Sequence, residues 1–318
     1  MLRMSSPSTL LRQRVRDFHQ HLPSVYDGSE EAIHDARVAL RRVTEALSLM
    51  REQYDEHALA AIEARLAKAA RALGRVRDAD SGQHVIQEVE RRFPFAAATL
   101  ARLRVACAER QYKKRRKAIK KLEALELDGL PGVLERARHR APRRWPLASG
   151  WKDAILSHIA LRAEHLHTSI DRASGIYFSN RAHSTRTAIK QLRYTLELAA
   201  ALGAHPPAKQ IRLLKKAQDA LGAAHDREVL LDWLDALRHR EGDAVDAVET
   251  DALARFLRAE TLALHDRYIG WRPELLAICD RYCAPPRRGI TAARVAMLAG
   301  IGIPSLLLLR NSASTQTE

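Results

Sequence analysis

The chain has 318 residues, enough for two modest domains or one doubled domain, and its apolar fraction of 46% supports a buried core. The net charge of +15 and the sequence pI of about 10.2 indicate a polyanionic partner, such as nucleic acid, polyphosphate or an anionic membrane. Three cysteines argue against a disulfide framework and favour the cytoplasm. Ala and Leu dominate the apolar residues and no run alternates as strands do, so the sequence predicts an all-α protein.

Two helices are predicted in the first fifty residues. Leu10 to Leu22 forms a basic helix that Ser8 should cap and Pro23 should end. The next helix, Ile33 to Leu47, carries an apolar and a basic stripe at helical spacing. The apolar stripe consists of Ile33, Ala36, Leu40, Val43 and Leu47. The basic stripe, which can line a groove or rim, consists of His34, Arg37, Arg41 and Arg42.

A third helix is predicted from Ala58 to Val76, with Lys68 as a further candidate cation. Asp78 and Asp80 are interpreted as the polar end of this helix, paired with neighbouring arginines, rather than as a metal pair. A short separate helix from His84 to Arg92 should follow.

A long helix from Ala96 to Leu127 has the cleanest amphipathic pattern, with Val105 and Tyr112 on the face expected to be apolar. Its basic face consists of Arg110, Lys113, Lys114, Lys117 and Lys121. No acid lies between Arg110 and Lys121, and like charges at i,i+4 cost a few tenths of a kcal/mol per pair. A bound polyanion would remove that cost, so we interpret this face as an anion site; the alternative is an ordinary solvated face.

Prolines at 131, 142 and 146 predict a boundary between two halves of the chain. The second half opens with a helix from Trp151 to Asp171, in which His158, His165 and His167 are expected at the surface or rim. Their spacing matches no common metal site.

A second basic stripe follows in the next predicted helix, and the helix after it adds three more cations. The stripe consists of His183, Arg186, Lys190 and Arg193, and the added cations are Lys209, Arg212 and Lys216. Two further helical segments are predicted, from Asp226 to Arg240 and from Val245 to Tyr268.

The two halves repeat one pattern. His34 and His183 are 149 residues apart, and Asp78 and Asp226, each four residues after a Leu-Gly pair, are 148 apart. Two ordered matches at nearly one offset predict an internal duplication, hence two pseudo-symmetric antiparallel helical bundles. The predicted units are residues 1–145 and 146–284, followed by a C-terminal tail at 285–318.

The H-x-x-R-x-x-x-R-R element at His34, its echo at His183 and the paired L-G-x-x-x-D segments resemble the CHAD family, the conserved-histidine α-helical domain, over about residues 5–284. The resemblance implies two pseudo-symmetric helical bundles that bind inorganic polyphosphate through basic side chains. Each repeat lacks one cation that the other has. Thr44 of the first repeat corresponds to Arg193 of the second, and Gln191 of the second corresponds to Arg42 of the first. The E-x-E-x-K strand of the CYTH triphosphatase tunnel, which some members carry, is not recognisable.

We therefore expect non-enzymatic polyphosphate binding, with no metal or cofactor, and a cytoplasmic location that includes polyphosphate granules. One alternative is non-specific nucleic-acid binding, although single-strand binders usually provide stacking aromatics and these basic faces have almost none. Phosphoryl chemistry at His34 or His183 is a second alternative, but no carboxylate cluster in the sequence accompanies either histidine. Pure scaffolding is a third. For each histidine, the alternative to a phosphate contact is a side chain satisfied inside its bundle.

The predicted tail contains an apolar segment, Val295 to Leu309, interrupted by Pro304. Its length falls short of the roughly 20 residues that span a bilayer. It is interpreted as packed or disordered, with contact to a membrane surface as the alternative.

Overall fold

The computed structural model describes residues 6–51, 54–140, 150–173 and 175–283, and these ranges are almost entirely α-helical without a strand. The all-α fold class is therefore confirmed. The described helices are α1 (Pro7–Tyr26), α2 (Glu30–Leu49), α3 (Glu56–Arg92), α4 (Ala97–Glu123), α5 (Leu130–Arg140), α6 (Gly150–Arg172), α7 (Ser179–Ala201), α8 (Ala208–Glu241) and α9 (Ala247–Cys283).

Helix α1 begins earlier and ends later than its sequence pattern predicts. Its N-cap is Ser6 rather than Ser8, and the Ser6 Oγ accepts a hydrogen bond from the backbone N–H of Thr9 at 3.2 Å. Pro23 lies inside the helix instead of ending it. The last turn persists because Leu22 and Val25 are buried in the core on either side of the proline.

Helix α3 is continuous through the segment predicted to end it. The buried Asp80 carboxylate accepts a 2.6 Å hydrogen bond from Gln111 of α4 and lies 3.7 Å from the Arg115 guanidinium. The predicted pairing with an arginine is thus confirmed for Asp80. The predicted helix end is wrong, because the chain stays helical from Glu56 to Arg92 and the partners of Asp80 come from α4. The side chain of Asp78 lies outside the described residues.

Helices α8 and α9 also extend beyond their predicted limits, whereas α4 ends at Glu123, short of the predicted Leu127. Helix α8 is unbroken where two segments were expected, and α9 continues past Tyr268 to Cys283 with Pro273 inside it. In α4 the predicted apolar face is wrong, since Val105 and Tyr112 are 63% and 64% exposed. The face centred on Leu100, Leu103 and Cys107 packs into the core instead.

Two buried apolar clusters form the interior of the described part of the chain, and each draws on both halves. The larger joins α1, α2, α5, α6 and α7 with the first parts of α3 and α8 and the ends of α4 and α9. The smaller joins the end of α3, the start of α4, the end of α8 and the start of α9. There α3 comes so close to Trp233 of α8 that a Cβ at Gly82 would overlap the indole ring. The duplication and the boundary near residue 145 stay predictions.

None of the described helices combines the length and apolar character that crossing a membrane requires. The segment Val295 to Leu309 lies outside the described residues, as does the rest of the predicted tail.

Candidate anion-binding site

Helix α2 presents its basic stripe beside a fully buried apolar stripe. Ser29 caps the helix by accepting a hydrogen bond from the backbone N–H of Ala32 at 3.2 Å, and Glu30 and Glu31 complement the positive end of its dipole. All five residues of the predicted apolar stripe are buried. Of the basic stripe, His34 and Arg42 are exposed while Arg37 and Arg41 are half-buried.

The stripes of α2 and α7 meet at one aromatic ring. Arg41 of α2 donates a hydrogen bond from Nη1 to the Tyr194 hydroxyl of α7, and its Cζ atom lies 4.9 Å from the ring centroid. The Cζ atom of Arg193 lies 4.3 Å from the same centroid. Cations within about 6 Å of an aromatic ring are attracted to its face. Tyr194 thus draws one cation from each half of the chain to one place.

Side chains around Tyr194 hold these cations in position. Arg193 donates from Nε to the Gln218 amide oxygen at 3.2 Å and pairs with Glu197. Arg14 of α1, which sequence reasoning overlooked, adds a further cation here. Burial and the neighbouring Arg42 charge lower the pKa of Arg14, against the opposing influence of acids that include Glu197. The sequence could have indicated Arg14 as a candidate, because it lies in the predicted basic helix from Leu10 to Leu22.

The glycine of the second L-G motif faces the α7 stripe. A Cβ atom placed on Gly222 would lie 3.3 Å from both Nε and Nη2 of Arg186, which is tighter than ordinary van der Waals contact. The Gly222 position therefore leaves room for the Arg186 guanidinium. Gly74, the counterpart of Gly222, has nothing within 4 Å of such a Cβ. Nearby, the His183 ring packs edge-on against His225 with centroids 5.7 Å apart.

A buried polar network lies at the contact of α2, α6 and α7. Glu45 accepts hydrogen bonds from Thr195 and, at 3.1 Å, from Nε2 of His158. Burial by itself raises the pKa of Glu45, but His158, Arg162 and Thr195 together outweigh it and hold the pKa below its usual value. His158 is only 1% exposed, so its predicted surface position is wrong. Its hydrogen bond with Glu45 allows it to be buried.

The remaining α3, α7 and α8 candidates lie at or near the surface. Lys190 is half-buried, whereas Lys68, Lys209, Arg212 and Lys216 are exposed. Arg71 and Arg75 continue the Lys68 stripe at helical spacing and are exposed as well. Sequence reasoning missed these two, although their spacing was visible.

The basic face of α4 divides into structural and exposed parts. Arg110 is half-buried, with its Cζ atom 5.2 Å from the Trp233 ring of α8, and Lys114 is half-buried too. The exposed members are Lys113, Lys117 and Lys121. The neighbouring Arg115, on a different face of α4, is approached by Glu30 of α2 and Asp80 of α3.

Three comparisons relate this arrangement to known proteins. The family model described as CHAD domain matches residues 9–235. The crystal structure of the CHAD domain from the plant Ricinus communis is 21% identical, with a TM-score of 0.61 over 87% of this chain and 90% of that one. PptA from Streptomyces chartreusis is 15% identical, with a TM-score of 0.56 over 86% and 96%. At these identities the likeness shows a shared fold. No curated protein matches this chain in sequence.

Proposed function

The chain belongs to the CHAD domain family, and on this premise we propose that it binds inorganic polyphosphate, without converting it, through the basic stripes of α2 and α7. The observation that carries the proposal is the convergence of Arg41 and Arg193 on the Tyr194 ring. Two half-buried guanidinium groups on one ring repel each other, Glu197 offsets this repulsion in part, and an anionic polymer across them would relieve the rest. Arg also offers a planar fork that grips phosphate oxygens.

The chemistry of the meeting point favours polyphosphate over nucleic acid. Polyphosphate carries about one negative charge per unit and has no base to recognise. Proteins that bind single-stranded nucleic acid usually stack bases on exposed aromatic rings. The Tyr194 ring instead has two arginines against it, so its binding chemistry is cationic.

The proposal includes no chemical step. His34 is exposed on its stripe and His183 packs against His225, and both are suited to donate hydrogen bonds to phosphate oxygens. A protein that holds the polymer along both halves would remain at polyphosphate granules in the cytoplasm, which is the location we propose.

A competition titration tests this function. Labelled long polyphosphate is displaced from the full chain by unlabelled polyphosphate, duplex DNA, RNA or ATP at fixed ionic strength. We expect polyphosphate to compete best, and its log K to fall linearly with log salt as counterions are released. Tighter binding of duplex DNA at matched charge, or a flat salt response, would contradict the proposal. Phosphate release that is lost in His34→Ala or His183→Ala would contradict its non-enzymatic part.

A further inference from the structure

A groove between α1 and α5 combines an apolar floor with a basic rim. Its volume is about 300 Å³. Leu11 and Val15 of α1, Leu134 of α5 and the Tyr54 ring form the floor, and all four residues are more than nine-tenths buried. The lining residues of each helix recur three and four positions apart, so the groove follows one face of α1 and one face of α5. It is thus an elongated apolar site rather than a polar cleft.

The rim carries three arginines that have no acid partner in the described part of the chain. Arg12 and Arg16 of α1 are exposed and Arg138 of α5 is half-buried, and none of them forms an ion pair there. Glu135, the acid of the lining, pairs with His139 at 3.5 Å instead. Three arginines against one glutamate leave the lining with a net charge of +2. A planar guanidinium can bind a carboxylate through two parallel hydrogen bonds, so the rim favours an anionic head group.

The Tyr54 hydroxyl connects the apolar floor to the basic rim. Burial raises the pKa of Tyr54 to about 12, and the charges that act on its hydroxyl are those of Arg138, Glu135 and Arg12. The hydroxyl therefore keeps its proton at neutral pH and can donate a hydrogen bond to an anion held by the rim.

The size of the groove favours an alkyl chain over a partner helix. One turn of α-helix, about 5.4 Å long and about 10 Å across, occupies roughly 400 Å³. This is more than the volume of the whole groove. A single alkyl chain is narrow enough to lie along the floor. A fully apolar molecule would leave the arginines without a partner, and polyphosphate would gain nothing from the apolar floor.

From the floor, the rim and the volume, we propose that this groove binds a medium-chain fatty carboxylate, with the alkyl chain on the floor and the carboxylate between the arginines. A carboxylate carries one charge, so Glu135 repels it less than it would repel the doubly charged head group of an alkyl phosphate. The inference is independent of the proposed function. Arg12 and Arg16 each lie two residues from Arg14, and residues two apart in a helix do not face the same way, so the groove is separate from the cations around Tyr194.

Calorimetry of the full chain with hexanoate, octanoate and octylammonium tests the proposal. Each methylene group that leaves water strengthens binding about fourfold, so octanoate should bind about tenfold more tightly than hexanoate. Octylammonium has the same chain with the opposite charge, and we expect it to bind at least tenfold more weakly than octanoate. Equal affinities in either comparison would overturn the proposal. Failure of octanoate to bind would also overturn it and would leave polyphosphate binding standing.

A charge-matched pair of variants separates the groove from general electrostatics. Arg12→Gln with Arg16→Gln removes two charges from the rim, and Arg255→Gln with Arg258→Gln removes two exposed charges from α9. Gln forms helices about as well as Arg, so both variants should fold. We expect only the rim variant to lose octanoate affinity by tenfold or more, and equal losses in both would contradict the proposal. A rim variant that binds octanoate like wild type but polyphosphate tenfold more weakly would assign these arginines to the polymer instead.

Methyl NMR and two further ligands locate the site and identify the head group. Octanoate should shift the methyl signals of Leu11, Val15 and Leu134 but not that of Val105 on the exposed face of α4. Octanoate that binds without shifting the three groove signals would place the ligand elsewhere and overturn the proposal. Tighter binding of octyl phosphate than of octanoate would overturn the carboxylate assignment. An amphipathic helical peptide of Leu and Glu that binds more tightly than octanoate and shifts the same signals would overturn it in favour of a protein partner.

Discussion

Arg41 of α2 donates a hydrogen bond to the hydroxyl of Tyr194 of α7, and this contact joins the basic stripes of the two halves. Arg193 approaches the same ring from its own helix, with its Cζ atom 4.3 Å from the centroid. The hydroxyl orients one guanidinium and the ring attracts both, so Tyr194 is a positioning residue for the proposed polymer site.

Replacing Tyr194 should weaken polyphosphate binding in two steps. Tyr194→Phe removes the acceptor of Arg41 but keeps the ring, and we expect a loss of about threefold to tenfold, as for one hydrogen bond of about 1 kcal/mol. Tyr194→Leu removes the ring as well and should lose more. Calorimetry with long polyphosphate measures both steps, and Tyr112→Phe on the exposed face of α4 is the control. If Tyr194→Phe and Tyr194→Leu both bind like wild type, Tyr194 does not position the site.

The two motif glycines offer a matched comparison. Replacing a glycine in a helix interior with Ala gains up to about 1 kcal/mol in helix propensity. Gly74→Ala meets no neighbour and should stabilise the protein without changing polyphosphate affinity. Gly222→Ala gains the same propensity but displaces Arg186, so it should bind polyphosphate several-fold more weakly. Thermal unfolding and calorimetry separate the two effects; equal affinities would mean that the Arg186 position is not critical.

Arg37→Ala combined with Arg186→Ala should affect long polymers more than short ones. A long chain can occupy both stripes together, and linking two sites raises their effective concentration, so the double variant loses this gain only for polymers that reach both. Calorimetry with short and long polyphosphate gives the comparison, with the exposed Arg258→Ala as control. Similar losses at both lengths would indicate that the stripes act separately. No loss at all would place the site on another face.

Glu45 should make the stability of the protein sensitive to acid. Its pKa is lowered in the folded state, so its ionised form contributes stability above the ordinary carboxyl pKa, and this contribution is lost as pH falls through the folded pKa. Glu45→Gln should lower the free energy of unfolding at neutral pH by about 1–3 kcal/mol and reduce its decline in acid. Urea unfolding from pH 7 down to about pH 3 tests this against Glu274→Gln at an exposed position of α9. Parallel pH profiles for wild type and Glu45→Gln would contradict the prediction.

The periodicity of the sequence was sufficient to predict the features that depend on side chains three and four residues apart in one helix. The all-α class follows from it, as does the stripe from Ile33 to Leu47, whose apolar members are all buried. The basic stripe beside it follows from the same spacing, because one turn of helix fixes which side chains share a face. Which of the stripe cations contact polyphosphate stays a prediction.

Only the tertiary structure decided what each face meets. The sequence predicts a surface position for His158, but its hydrogen bond with Glu45, 113 positions earlier, allows it to be buried. The sequence predicts a helix end at Asp80, but its hydrogen bond with Gln111 of α4 places it inside a continuous helix. Val105 and Tyr112 are exposed because another face of α4 packs against the core. The contact of Arg41 with Tyr194 spans 153 positions. Such contacts depend on how the helices pack, and packing is set by the shapes of whole faces rather than by spacing within one helix.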